Sequence, residues 1–335
     1  RHTPRAPART ADGAQVGLSQ NETEAPVLCT GAAGYIGAAI VNGLAAAGYK
    51  VLAGLRRDAT VPRGAQAFIT GDLSQERLVL PRLRAVVHAA GLGHRRGVTR
   101  DVYLRDNVAA TVNVARAARN AGASRFILVS TAHVHGRVHN DVVTDTTAAN
   151  PMDMYAVSKL MAERAAADAF GPGFCALRPV AVIGPGCPGN IGALLNLLRL
   201  RLPLPLGGIA NRRSFIARDD LAALVVALLR APDVSGPVLA AHPEAVSTPE
   251  LIRALAAGIG VRSLLWPCPS PLLAMAAKLL RREALWQSVS GSFVAAPMIA
   301  QGLGWRPQAG LYESLRATAR YYDPRYYNTA GETLD

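Results

Sequence analysis

A tyrosine and a lysine one helical turn apart are the residues of this sequence best suited to transfer a proton. Tyr155 and Lys159 lie in a segment whose pattern predicts a helix over 155–170, and side chains at i and i+4 share one face of a helix. A free tyrosine has a pKa of about 10, and a neighbouring ammonium favours the phenolate and lowers that pKa. The pair therefore predicts acid–base chemistry, with a surface helix pair as the alternative.

A hydroxyl side chain comes at the end of a predicted strand upstream of this helix. The apolar run 126–129 is followed directly by Ser130 and Thr131. In a parallel sheet the carboxyl ends of the strands face the crevice in which ligands bind. We therefore expect Thr131 to hold a substrate oxygen next to Tyr155.

A glycine-rich turn separates the first predicted strand from the first predicted helix. Gly31 allows a sharp turn off the strand, Gly34 allows backbone N–H groups to approach a pyrophosphate, and Gly37 allows the helix to pack closely on the sheet. The amino end of the helix adds partial positive charge. The turn therefore predicts a dinucleotide-binding site.

The end of the second predicted strand indicates which dinucleotide binds. Sites for NAD usually place a carboxylate about 20 residues after the glycines, where it binds the ribose hydroxyls. Here the strand ends in Arg56 and Arg57, and Asp58 comes one step later. Two guanidinium groups suit a 2′-phosphate, which favours NADP(H) over NAD(H); a pair of exposed arginines is the alternative. Asp72 follows the third strand as a candidate adenine ligand or a turn residue.

Strands and helices alternate through the first 180 residues. This alternation predicts an α/β fold with a Rossmann-type doubly wound parallel sheet. The predicted strands are 26–30, 50–55, 67–70, 85–89, 125–130 and 174–178, and the predicted helices are 36–47, 108–120 and 155–170.

The alternation ends after residue 179, where proline and glycine become dense. We expect a smaller C-terminal substrate-binding lobe in this part of the chain. The predicted organisation is a flexible segment 1–25, a dinucleotide-binding domain 26–180 whose sheet is completed by 211–232, a lobe formed by 181–210 and 233–325, and a tail 326–335.

Composition narrows the classes of protein that fit this chain. Half of the 335 residues are hydrophobic and 18% are charged, which supports a sizeable core. No apolar run reaches the roughly 18 residues that a membrane-spanning helix needs. The four cysteines are far apart, which argues against a disulfide framework or a metal site and fits a cytoplasmic location. The net charge of +13 comes from dispersed arginines without interleaved aromatics, so we expect anionic small-molecule ligands and no nucleic acid.

These motifs together resemble the extended short-chain dehydrogenase/reductases, a family of nucleotide-sugar epimerases, dehydratases and reductases. The resemblance covers about residues 26–315. The segment 203–214 is similar to bacterial O-antigen enzymes that reduce 4-keto-6-deoxy UDP-sugars or epimerise UDP-sugars at C4. The matching residues are the turn 30–37, Asp72-Leu73, His88-Ala89-Ala90-Gly91, Asn107, Ser130-Thr131, Tyr155 with Lys159, Arg178-Pro179, Gly184-Pro185-Gly186 and Arg213-Ser214-Phe215-Ile216 before Asp219-Asp220.

The resemblance implies a role for each matching position. Tyr155 would be the acid or base, Lys159 would hold the nicotinamide ribose, and Thr131 would orient the substrate oxygen. Arg213 and Asn190 would bind the substrate diphosphate, and His94 and His133 are candidates to face the sugar. The cofactor set would be Gly31, Gly34, Tyr35, Ile36, Gly37, Arg56, Arg57, Asp72, Leu73, Ala89, Ala90, Gly91, Asn107, Ser130, Pro179 and Val182.

One departure from the family pattern bears on the reaction. Family dehydratases carry an acidic pair after the strand hydroxyl, whereas Thr131 is followed by Ala132 and His133. We therefore expect an NADPH-dependent reductase of a nucleotide-linked 4-keto-6-deoxysugar, acting as a homodimer by resemblance. The alternatives are an NAD-dependent nucleotide-sugar 4-epimerase and, from another class, a non-catalytic dinucleotide-binding regulatory module.

Overall fold

The computed structural model describes residues 25–323, except for Arg63, Glu76, Arg77, His94 and Arg96 and the side chains of Asn190 and Ala284. The lead-in segment 1–25, apart from its last residue, and the tail 326–335 lie outside the described residues.

Seven parallel strands form the main sheet, in the spatial order β10-β7-β5-β4-β1-β2-β3. Most are continuous apolar runs, buried on both faces, as parallel strands covered by helices must be. The strand order reverses between β1 and β4, so a crevice opens at their carboxyl ends. The strands are β1 (Val27–Thr30), β2 (Val51–Leu55), β3 (Ala65–Ile69), β4 (Ala85–His88), β5 (Arg125–Val129), β7 (Phe174–Pro179) and β10 (Gly236–Ala240).

Helices cover both faces of this sheet and bury an apolar stripe against each. Helix α1 (Tyr35–Ala46) packs with α6 (Arg218–Arg230) on one face. On the other face, α2 (Arg100–Tyr103), a π-helical turn (Leu104–Ala109) and α3 (Ala110–Asn120) form one continuous element. It packs against α4 (Met154–Phe170). The doubly wound Rossmann-type fold expected from the sequence is confirmed.

The seventh strand corrects the predicted completion of the sheet. It is Gly236–Ala240 and pairs with β7, whereas the segment 211–232 contributes helix α6 and a strand of a separate sheet. Residues Ala300 and Trp305 also belong to the core of the main sheet. Parts of 233–325 are therefore built into the dinucleotide-binding domain, not into the lobe.

The smaller lobe has its own core around a three-stranded sheet. Its strands are β8 (Ala181–Ile183), β9 (Arg213–Ala217) and β11 (Ala245–Val246), in the order β11-β9-β8. The lobe helices are α5 (Asn190–Arg199), α7 (Thr248–Gly258), α8 (Ser270–Leu279), α9 (Glu283–Ser290) and α11 (Leu311–Arg320). Buried Leu195, Ile252, Leu255 and Leu315 form the centre of this second core. Two short strands, β6 (Val143–Thr144) and β12 (Ala295–Ala296), pair with each other, and α10 (Met298–Gly302) follows β12.

Neither a membrane span nor a metal centre is found in the part of the chain that the structure describes. No helix there is long and apolar enough to cross a bilayer, and no group of three His, Cys, Asp or Glu side chains could hold a metal ion. All four cysteines are free thiols.

Candidate active site

The glycine turn between β1 and α1 has space for backbone alone. Gly31 has a φ of +69°, and a Cβ there would lie 2.6 Å from the Ala90 nitrogen. A Cβ on Gly37 would lie 2.0 Å from the Gly31 carbonyl oxygen. Helix α1 begins after Gly34 with no side-chain cap and no acidic residue in its first turn. Its first N–H groups can therefore donate hydrogen bonds to an anion in the crevice. The cradle fits a dinucleotide pyrophosphate.

The loop after β4 forms the opposite wall of this cradle. The Ala90 N–H donates to the Thr30 hydroxyl at 3.4 Å. The Asn107 amide accepts from the Leu92 N–H at 2.7 Å and donates to the Leu92 carbonyl at 3.1 Å. Asn107 also donates to the Ser158 hydroxyl at 2.9 Å. The structure thus places Ala89, Ala90 and Gly91 beside the glycine turn and uses Asn107 to fasten the loop to helix α4.

A buried histidine links the same two walls. His88 Nδ1 lies 2.6 Å from the Thr30 hydroxyl and Nε2 lies 3.1 Å from the Thr111 hydroxyl. Burial lowers the pKa of His88 to about 3, so the ring is neutral. Because Thr111 donates its proton to the Asn107 carbonyl, Nε2 of His88 carries the hydrogen and Thr30 donates to Nδ1. The sequence indicated His88 only as part of a motif and showed no partner for it.

The two arginines after β2 have different environments. The Arg56 guanidinium lies 3.2 Å from the Asp72 carboxylate, and both side chains are exposed. Hydrogen bonds from the Ser74 backbone and hydroxyl, with Arg56 nearby, hold the Asp72 pKa below its usual range. Asp72 therefore closes the turn after β3, the alternative role anticipated for it. Arg57 is exposed, and the two residues directly after β2 are both arginines.

The predicted catalytic residues meet at the carboxyl ends of β5 and the amino end of α4. Thr131 begins a short 3-10 helix (Ala132–His135), and its hydroxyl accepts from the His133 N–H at 3.2 Å. The Tyr155 phenol hydrogen-bonds to Thr131. Asp153 caps α4 by accepting from the Ala156 N–H at 2.9 Å, which fixes the helix start and hence the phenol.

Lys159 follows Tyr155 by one helical turn in α4 and is buried. Its ammonium donates to the Val129 carbonyl at 2.7 Å, and burial lowers its pKa to about 8, partly offset by Glu163. Burial also raises the pKa of Tyr155 above its ordinary value, although the hydrogen bond with Thr131 opposes this. Desolvation of the phenolate is the largest effect on the Tyr155 pKa, and the lowering of that pKa by Lys159 stays a prediction.

A buried ion pair supports the catalytic strand and helix from below. Arg178 donates to both carboxylate oxygens of Glu163, with a shortest contact of 2.6 Å, and the two side chains are 9% and 6% exposed. Ser130 donates its hydroxyl to the same carboxylate. His135 lies 3.2 Å from Arg178 through Nε2. The sequence analysis missed Glu163, although its position four residues after Lys159 places it on the same helix face.

The structure places only some of the residues expected at the substrate close to the catalytic set. His133 lies edge-on to the Tyr155 ring at a centroid distance of 6.4 Å, so it borders the catalytic set. Arg213, half-buried in β9, donates to the Ser288 carbonyl at 2.7 Å. Asn190 begins helix α5, its side chain is outside the described part, and His94 is outside the described residues.

The remaining predicted cofactor residues lie in several different elements. Tyr35 and Ile36 open helix α1, Pro179 ends β7 next to β5, and Val182 lies in β8. Leu73 packs against the core beneath the third strand. A Cβ on Gly184 would meet the Tyr35 hydroxyl at 2.9 Å, so the loop after β8 closes directly over the start of α1.

A cavity of about 640 Å³ lies beyond the catalytic set. Its walls are the segment 135–141 and helix α9, including Trp286 and Gln287. Thr131, Tyr155 and Lys159 are not among its lining residues.

Comparison with known proteins finds similar sequences. The model of the NAD dependent epimerase/dehydratase family matches residues 27–240. A UDP-glucose 4-epimerase from Vibrio cholerae is 29% identical over 314 residues, which cover 88% of this chain and 95% of the relative. A ceramide reductase from Caulobacter vibrioides is 32% identical over 278 residues, covering 79% of this chain and 80% of the relative.

A solved structure gives the same result for the fold. MoeE5 in complex with UDP-glucose and NAD is 29% identical, with a TM-score of 0.70 over 89% of this chain and 98% of that protein.

Proposed function

The chain belongs to the NAD-dependent epimerase/dehydratase family and is an NAD(P)-dependent enzyme, and from that premise we propose that it reduces a nucleotide-linked 4-keto-6-deoxysugar with NADPH. The observation that carries the proposal is the end of β2, where Arg56 and Arg57, and not an acidic residue, directly follow the strand. Arg57 is exposed and suits a 2′-phosphate. Net reduction consumes one NADPH per turnover, so it needs a cofactor that leaves the site after the reaction and is replaced.

The proton donor in this reaction is the Tyr155 phenol. Burial keeps it protonated well past neutral pH, which suits an acid that gives a proton to a developing alkoxide. Bound NADPH would supply the hydride to C4. Thr131 would donate a hydrogen bond to the same oxygen and stabilise its negative charge. The ketone thus gains a hydride and a proton and becomes an alcohol.

Lys159 has a binding role in the proposal. Its ammonium is buried, is largely protonated at pH 7 because its pKa is about 8, and is held in position by the Val129 carbonyl. It would hold the ribose hydroxyls of the cofactor and leave proton transfer to Tyr155. Gly91, close to both Lys159 and Asn107, leaves room for that contact.

Two observations support a nucleotide-diphosphate sugar as the substrate. Residues 169–218 contain six arginines and no acidic residue, so this part of the lobe favours an anion. MoeE5, a similar structure, was solved with UDP-glucose. Arg213 and Asn190 would bind the diphosphate and His133 the sugar; Arg213 would have to exchange the Ser288 carbonyl for phosphate oxygens. Synthesis of an O-antigen sugar is the proposed context.

A 4-epimerase is the second candidate, favoured by the relative from Vibrio cholerae that matches nearly its whole length. The same residues would serve, with Tyr155 first accepting and then returning the proton. That reaction needs tightly held NAD, because the hydride must return to the other face of the sugar. The ceramide reductase shows that net reduction also occurs among similar proteins.

We further propose a cytoplasmic homodimer. Four free thiols, three of them buried, fit a reducing compartment. The outer faces of α3 and α4 form a groove with Val112, Arg116, Ala165 and Asp168, which fits a pairing of these helices with those of a second copy. Light scattering on the purified chain tests this: a mass of twice 35.1 kDa is expected, and a monomer would contradict it.

The test of the function is a cofactor count followed by turnover. The purified chain is denatured and released nucleotide is quantified, and UDP- and dTDP-linked 4-ketosugars are then supplied with NADPH while absorbance at the nicotinamide band is followed. The proposal expects little retained nucleotide and stoichiometric loss of NADPH with one of the ketosugars. Retained NAD at one per chain, with sugar interconversion and no NADPH loss, would establish the epimerase instead.

A further inference from the structure

Helix α8 exposes an apolar face to solvent. Its sequence, Ser270–Leu279, is mostly leucine, alanine and methionine, yet none of its residues is buried. Met275 is 65% exposed and Leu279 is 84% exposed. Together with Leu272 they lie at helical spacing on one face. Helices of globular proteins normally bury such a stripe against the core.

Neighbouring segments extend this face into a larger patch. Leu280 and Leu285, in the turn to α9 and in α9 itself, are exposed as well, and α8 packs mainly against α9. On the other side, the chain before α8 pairs with the segment after α5: the Leu204 N–H donates to the Leu264 carbonyl at 2.8 Å. This pairing adds half-exposed Trp266 and Leu202. We call residues 264–285 with 200–202 the apolar hairpin surface.

Basic side chains border the apolar hairpin surface. From 259 to 282, and again from 199 to 213, the sequence contains no acidic residue. The exposed basic residues at the border are Arg199, Arg201, Arg262, Lys278, Arg281 and Arg282. None of these six forms an ion pair with a carboxylate within the described part of the chain.

We propose that the apolar hairpin surface docks on the face of an anionic lipid bilayer. An exposed apolar helix with lysine and arginine at its border is the pattern of interfacial membrane binding, and basic residues near the surface are attracted to anionic headgroups. Docking of this kind needs no membrane-spanning helix.

The charge of the border selects the membrane over a second copy of the chain. A symmetric contact of this surface with itself would place Lys278, Arg281 and Arg282 against the same residues of the partner or close to them. Like charges at an interface disfavour association. An anionic bilayer provides both an apolar layer for Leu272, Met275 and Leu279 and negative charge for the border.

Vesicle co-sedimentation of the full chain tests the proposal. Vesicles of phosphatidylcholine with 40% phosphatidylglycerol are compared with vesicles of phosphatidylcholine alone, at low and at high salt. Sedimentation with the anionic vesicles is expected, with at least a tenfold weaker partition to neutral vesicles and at high salt. Trp266 fluorescence is expected to shift to the blue on binding.

A matched pair of variants separates docking from general surface effects. Met275→Glu/Leu279→Glu adds two charges to the apolar hairpin surface. Met298→Glu/Val79→Glu adds the same charges at positions that are 62% and 77% exposed elsewhere. The first variant is expected to lose at least tenfold in vesicle partition and the second to match the native chain, with the same circular dichroism for all three.

Four results would overturn the proposal. The first is no sedimentation of the native chain with anionic vesicles, and the second is equal partition to neutral vesicles. The third is that the native chain binds no vesicles and forms an oligomer that the Met275→Glu/Leu279→Glu variant does not form. That result would show that a second copy covers this surface. Loss of binding in the control variant to the same degree would likewise remove its basis.

Discussion

Removal of one partner of the buried Glu163–Arg178 pair should destabilise the protein strongly. Glu163→Ala leaves the Arg178 guanidinium almost fully buried without the carboxylate that accepts from it at 2.6 Å. Breaking a buried ion pair by removing one member costs about 3–5 kcal/mol, which is roughly two to four powers of ten in the folding equilibrium. Arg178→Met should cost a similar amount, because Glu163 then keeps only the Ser130 hydroxyl.

The double variant Glu163→Met/Arg178→Met isolates the interaction within the pair. Neither charge of the pair is left without its partner, so the main penalty disappears. Ser130 and His135 each lose a partner, at about 1–3 kcal/mol each, so the double variant should lose about 2–6 kcal/mol, well below the sum of the two single losses. Urea unfolding, followed by circular dichroism and by tryptophan fluorescence with coincident transitions, gives these values. Additive losses would refute the argument that the two charges depend on each other.

Further predictions concern cofactor binding and proton transfer. kcat/KM for NADPH reports ionisations of the free enzyme and should fall above about pH 8, because Lys159 loses its proton there while Tyr155 stays neutral. Lys159→Arg should move this fall in kcat/KM to higher pH. If the fall stays at the same pH, it belongs to another group. Gly37→Ala places a methyl 2.0 Å from the Gly31 carbonyl oxygen and should weaken NADPH binding by roughly 10- to 100-fold, measured by fluorescence titration, whereas Gly302→Ala, with open space around it, should bind normally. Arg56→Ser/Arg57→Ser should raise the Kd for NADPH by roughly tenfold or more and leave that for NADH unchanged, with Arg281→Ser/Arg282→Ser as the control; an equal loss for the two cofactors would contradict a 2′-phosphate site.

Much of the main sheet can be predicted from the sequence, because its strands are continuous apolar runs that begin and end at clear turn residues. Val27–Thr30, for example, is a fully buried strand that ends on the glycine turn. The seventh strand, Gly236–Ala240, carries no such signal: it contains Pro237 and lies at the sheet edge, where a proline is tolerated. Its position is decided by tertiary pairing with β7.

Part of the candidate site can likewise be predicted from the sequence, and part of it cannot. Tyr155, Lys159 and Thr131 could be found because their types and spacing are unusual, and the structure brings them together. The pKa values could not, because they depend on burial, which raises the Tyr155 pKa and lowers that of Lys159. Glu163 and Arg178 come from elements that are adjacent only in the fold, and charged residues of this kind look like surface residues in a sequence.

Transfer of a label from the cofactor to the sugar tests the central claim most directly. NADPH carrying deuterium at both C4 positions of the nicotinamide is incubated with the ketosugar that is turned over, and the product is examined by mass spectrometry and NMR. One deuterium per product at the sugar C4, with one NADPH oxidised and at least a thousandfold slower reaction for Tyr155→Phe (roughly 4 kcal/mol), is the predicted result. Product that forms without deuterium and without NADPH oxidation would contradict it.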